Sequence, residues 1–123
     1  MDSILELRNK VKEFNAERDW DKYHNPKDLI VALMSEVGEL AELYRWLNEE
    51  EMNNILLDPL KKEKVESELA DITMYLMTLS YKTNTDLFKA VEKKMEKINK
   101  RYPVEKIKGL HTNPLTGFKS KED

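Results

Sequence analysis

The chain has 123 residues, 40% hydrophobic and 37% charged, with 21 basic and 24 acidic side chains and a net charge of −3. That length suits one domain with one core, and the slight acidic excess argues against a general binder of nucleic-acid polymers, which carry a basic excess. No apolar run approaches the ~20 residues that span a bilayer, the N-terminus is no signal peptide, and without cysteine there are no disulfides or thiolate metal sites, so a cytoplasmic protein off the membrane is expected.

In chain order the pattern is helical throughout. A first helix is predicted from about Asp2 to Arg18, with Leu5, Val11 and Phe14 among its apolar positions. An aromatic-rich link, 19–25, follows. Asn25-Pro26 reads as an N-cap with proline at the first helical position, and the second helix is predicted to reach Trp46–Asn48. Asp58-Pro59 repeats the start signal for a third helix ending near Lys82. Asn84-Thr85-Asp86 breaks that helix and caps a fourth, which ends before Pro103. The expected class is all-α, a four-helix bundle-type fold over residues 1–104. The tail, 105–123, holds two Gly and Pro114 and is expected to be irregular.

The second and third helices share a pattern. Leu33, Val37, Leu40, Tyr44 and Leu47 step by four, three, four and three, and Val65, Leu69, Ile72, Leu76 and Leu79 repeat the steps 32 residues later. Such a stripe is the seam of a helix packed on other helices. Acids sit at one offset in both: Glu36 and Glu39 follow Leu33 as Glu68 and Asp71 follow Val65. At ~100° per residue the first acid of each pair lies about 60° from the stripe centre and the second about 120°, on the same side.

Acids spaced three apart repel, and a solvated face interleaves lysine or arginine to offset this. No basic residue lies three or four positions from Glu36, Glu39 or Asp71; Glu68 alone has one, Lys64. Four such acids beside apolar stripes call for a cation. Oxygen ligands without thiolate suit Mg²⁺, with Mn²⁺ as a substitute. One helix alone would read as a wet acidic edge; the repeat on two favours the metal. A di-iron bundle would need Glu-x-x-His, and neither His24 nor His111 follows a Glu by three. Gly38, between the acids, is either tolerated or marks a close approach to the backbone.

Several runs resemble the MazG-like nucleotide pyrophosphatases, and among them the dCTP pyrophosphatase branch. They are Phe14 to Trp20 (FNAERDW), Tyr23-His24-Asn25-Pro26, and Glu36 to Trp46 (EVGELAELYRW). Glu68-Leu-Ala-Asp71, Tyr75, Lys94-Met95 and Arg101-Tyr-Pro-Val104 continue the likeness in order. The resemblance implies an oligomer whose subunits share active sites, and cleavage of a nucleoside triphosphate to the monophosphate and pyrophosphate. It assigns Mg²⁺ to Glu36, Glu39, Glu68 and Asp71; beside the metal, Glu36 or Glu39 is the expected general base. It places the base near Trp20 and Trp46 and the phosphates near Tyr75, Lys94 and Arg101; His24 is a further candidate for substrate contact, the alternative being that it orders the loop before Asn25-Pro26. Tryptophan offers a stacking face to any base, and the cations meet phosphate charge.

Two positions depart from the family pattern. Ile98 stands where the family has Asn, with Asn99 one residue on, and Val11 stands where dCTP-specific members have His. The substrate expected is dCTP or a related pyrimidine deoxynucleotide. A broad house-cleaning pyrophosphatase and a non-catalytic helical interaction module are the alternatives, and the intact acids argue against the second. Apolar residues off the stripes (Leu29, Ile30, Leu43, Trp46, Met74 and Met77) point to a homo-oligomer, dimer or tetramer.

Overall fold

A computed structural model describes residues 3–109 of the chain. Helix α1 spans Ser3–Glu17. It ends where Asp19 takes a left-handed φ of 53° and the Trp20 amide returns to the Asn15 carbonyl at 3.0 Å. A 3₁₀ turn, Asp21–Tyr23, leads to α2, Pro26–Tyr44. Asn25 caps α2 as expected, its Oδ1 accepting from the Asp28 amide at 2.9 Å.

Beyond Tyr44 the structure departs from the predicted four helices. Helix α2 stops short of Trp46, and a short helix α3, Glu49–Asn54, begins on its own capping box, Asn48 with Glu51. Its six residues, Glu-Glu-Glu-Met-Asn-Asn, are too few and too polar to show a periodic stripe, which is why the pattern passed over it. A 3₁₀ turn, Ile55–Leu57, then enters α4, Pro59–Lys82, capped by Asp58. Asn84, at φ 53°, ends that passage. Helix α5 runs Leu87–Arg101 and α6 runs Val104–Ile107. The described residues thus hold six α-helices. The tail expected to be irregular begins with a helical turn, started by the extended Pro103, and its stretch 110–123 lies outside the described residues, as do His111, Pro114 and Asp2.

The chain divides between Asp86 and Leu87 into two units. In the first, α4 is the central element and packs against α1, α2 and the Ile55–Leu57 turn. Val11, Leu29, Ile55, Val65 and Met77 form its core. The predicted stripes meet this core in part. Val65 is buried, while Val37, Leu69 and Leu76 are exposed. Leu29 and Met77, expected to be left for a partner, are buried within the chain at 2% and 5% exposure. A helix that packs against both α1 and α2 needs a broader buried arc than one seam supplies, and on α4 that arc takes in Thr78 and Ser80 as well.

The link after α1 is tied to α4 by polar groups. The Tyr81 hydroxyl donates to Asp21 Oδ1 at 2.6 Å, and Lys82 Nζ donates to the Asp21 carbonyl at 2.9 Å. Asn15 Nδ2 donates to Thr78 Oγ1 at 3.0 Å and to the Tyr81 hydroxyl at 2.9 Å. The Tyr81 hydroxyl holds the Asp21 carboxyl below its usual range; burial opposes this, and the Lys82 charge assists. A lowered carboxyl contributes stability above its unfolded value, and this contribution is lost as pH falls through the lowered one. Tyr81→Phe leaves an Asn15 N–H and the Asp21 carboxylate short of a partner. It should cost about 1–3 kcal/mol in urea denaturation at neutral pH, and less at acid pH where Asp21 is protonated.

Candidate metal and nucleotide site

Helices α2 and α4 bring three of the four predicted acids together. Glu36, Glu39 and Glu68 each offer a carboxylate oxygen, all within 4.8 Å of one another. Oxygen Oε2 of Glu36 and Oε2 of Glu68 are buried and meet no hydrogen-bond partner. Three clustered carboxylates with two orphaned oxygens and no basic partner fit a hard divalent cation, the donor set that the spacing suggested. The Glu36 carboxyl is pushed up to about 7. The largest cause is the Glu68 carboxylate beside it, which favours a protonated Glu36 able to donate to it. Desolvation follows, then the charge of Glu39 and of Asp71.

Of the clustered trio, Glu36 opens onto a cavity of about 270 Å³. Asp71, Met74 and Tyr75 of α4 line it beside Glu36. Trp20 and His24, from the tied link, line it as well, with Asn15 and Thr78. Trp20 is 43% exposed and meets Phe14 edge-on at 5.8 Å, while the Arg18 guanidinium covers Phe14 at 3.6 Å. His24 Nδ1 is buried without a partner. Of the predicted binding residues, the cavity therefore gathers Trp20, His24 and Tyr75. Trp46 stays apart, 78% exposed past the end of α2, with the Arg45 guanidinium 4.4 Å over its ring. Lys94 and Arg101 belong to α5 in the second unit, where both are exposed. Around Gly38 an added Cβ would meet nothing within 4 Å, so the space on that side of the helix is open among the described residues.

Asn15 escaped the sequence reading. A single polar residue on an amphipathic helix has no signature until α4 sets Thr78, 63 positions away, against it.

The MazG-like family matches residues 31–113, two-thirds of the chain. The chain belongs to the MazG-like family. Among its relatives, dCTP pyrophosphatase 1 of Bos taurus is 41% identical over 107 residues, which cover 87% of this chain and 63% of that protein. The Homo sapiens protein of the same name is 40% identical over 101 residues, 82% of this chain and 59% of that one. The chain thus spans about three-fifths of the length of these relatives. The crystal structure of a pyrophosphatase from Archaeoglobus fulgidus DSM 4304 superposes with a TM-score of 0.75 at 36% identity, covering 84% of this chain and 94% of that one. This chain, helical and without strands among its described residues, therefore shares its fold with that pyrophosphatase structure. Among the described residues no helix is long and apolar enough to cross a membrane.

Proposed function

We propose that this MazG-like chain hydrolyses a nucleoside triphosphate, dCTP or a related pyrimidine deoxynucleotide, to the monophosphate and pyrophosphate. The observation that carries the reading is the trio Glu36, Glu39 and Glu68, clustered within 4.8 Å, whose member Glu36 lines, with Asp71, a cavity that also takes in Trp20 and His24. The names of the bovine and human relatives support the same chemistry and substrate.

Glu36, Glu39, Glu68 and Asp71 would hold Mg²⁺, with Mn²⁺ as a substitute. When bound, the ion supplies charge neutralisation at the phosphates and acidifies a water. The remaining work falls to the chain's own groups. Glu36 or Glu39 accepts the proton that the attacking water loses as the anhydride between the α and β phosphates breaks. Trp20 gives the base a stacking face, Trp46 is assigned a second one, and His24 offers a ring nitrogen. Tyr75 orients phosphate by hydrogen bonding, and Lys94 and Arg101 are assigned to phosphate charge. We assign the active form to a homo-oligomer.

The test is product identity. Incubation with dCTP and Mg²⁺, followed by ion-exchange chromatography, should yield dCMP and pyrophosphate in equal amounts. A yield of dCDP and orthophosphate would overturn the assignment. Omitting Mg²⁺ should stop the reaction.

A further inference from the structure

Asn15 and Thr78, which line the cavity, belong to a hydrogen-bond network of fixed polarity. Thr78 spends its hydroxyl hydrogen on the Met74 carbonyl at 2.8 Å, and Tyr81 spends its own on Asp21 at 2.6 Å. Both oxygens are therefore acceptors toward Asn15, and its two amide hydrogens go to them at 3.0 and 2.9 Å. Turning the amide over would set its oxygen against two oxygens whose hydrogens are already committed, so the O and N assignment follows from the network. What remains is Asn15 Oδ1. The residue is only 4% exposed and lines the cavity, and no donor among the described residues meets that oxygen.

We infer that Asn15 Oδ1 accepts a hydrogen bond from the exocyclic amino group of the substrate base and so selects a 4-amino pyrimidine over its 4-keto counterpart. The inference rests on the proposed nucleotide hydrolysis and adds the residue that reads the base. A carbonyl oxygen held on the cavity wall in a fixed direction rewards a donor and penalises an acceptor. The 4-amino group of cytosine is a donor, whereas O4 of uracil or thymine would face Oδ1 oxygen to oxygen, leaving both unpaired. Stacking on Trp20 cannot make this distinction, because every base has a π face. The network behind Asn15 holds the oxygen still, so little ordering is left to binding.

The test compares kcat/KM for dCTP, dUTP and the deoxyribonucleoside triphosphate of 2-pyrimidinone, which has no 4-substituent, in the native protein and in Asn15→Leu. Titration of tryptophan fluorescence with dCMP and dUMP gives the same comparison without turnover. The native protein should favour dCTP over both analogues by about tenfold or more, and Asn15→Leu should bring all three within about twofold of one another. Where circular dichroism shows the leucine variant unfolded, Asn15→Ser removes the carbonyl at smaller volume and carries the same expectation. Equal use of dCTP and the 2-pyrimidinone nucleotide by the native protein would overturn the inference, as would discrimination that survives in the variant. Pyrophosphate release without base discrimination would sink only this inference; neither release nor nucleotide binding would sink the proposed function along with it.

Discussion

Glu39→Gln or Asp71→Asn should abolish Mg²⁺-dependent pyrophosphate release, a loss of at least about a thousandfold if the ion no longer binds productively. The fold should survive, because Glu39 is exposed and Asp71 only half-buried, and neither belongs to the core. The metal-free protein should become more stable, since each change removes one like charge from a crowded edge and leaves the side chain's shape intact. Thermal melting with and without Mg²⁺ reads both effects: the variants should melt higher than native protein without the ion and gain less when it is added. Near-native turnover in both variants would show the ion to be held elsewhere.

The same cluster sets a pH dependence. Folded Glu36 titrates near 7, above its ordinary value of 4.5. The folded state therefore holds more protons than the unfolded one between those values, and metal-free stability should fall as pH rises across that window. A cation needs the ionised carboxylate, so Mg²⁺ affinity should rise with pH up to about 7 and then level off, with a proton released below that point. Calorimetry of Mg²⁺ binding in two buffers of different ionisation enthalpy measures the proton. A pH-independent affinity between pH 5 and 8 would contradict this account of Glu36.

The second large effect concerns mass. Ile30, Val31, Met34 and Val37 of α2 are all exposed, as are Leu69 and Leu76 of α4. On α5, Phe88, Val91, Met95 and Ile98 step by three, four and three along one exposed face. Covering such side chains is worth about 1.5–3 kcal/mol each, so several together outweigh the ordinary cost of bringing two chains together. Symmetric association is the usual outcome. Light scattering at micromolar concentration should give twice 14.6 kDa or a higher multiple. Val37→Glu or Met34→Glu should shift that mass downward and lower activity with it. A monomer that still hydrolyses nucleotide would refute the assembly and the sharing of sites between copies.

Legibility in the sequence followed the range of each interaction. Asn25-Pro26 and Asp58-Pro59 mark helix starts through contacts within four residues, and both starts stand in the structure. The four acids were readable because two helices repeat one spacing, and Glu36, Glu39 and Glu68 do converge. The Asn48–Glu51 box was equally local, yet α3 carries no apolar rhythm to draw attention to it. Met77 lies off the α4 stripe yet is buried because α4 has both α1 and α2 as neighbours, which no single-helix pattern encodes, and Leu29 is likewise buried off the stripe of α2. Asn15 depends on partners 63 and 66 positions away and was invisible for the same reason.

The bonds from Tyr81 and Lys82 to Asp21 bear on the timing of nucleotide entry as well. They fasten the segment carrying Trp20 and His24 to the central helix, so that wall of the cavity is put in place when the chain folds and has no closing motion to wait for. Nucleotide capture at this wall should then show a single kinetic phase, linear in nucleotide concentration, without the saturation that a slow gate imposes. Its salt dependence would report the surrounding charge instead. Cutting the fastening with Tyr81→Phe should bring in a second, concentration-independent phase in stopped-flow tryptophan fluorescence.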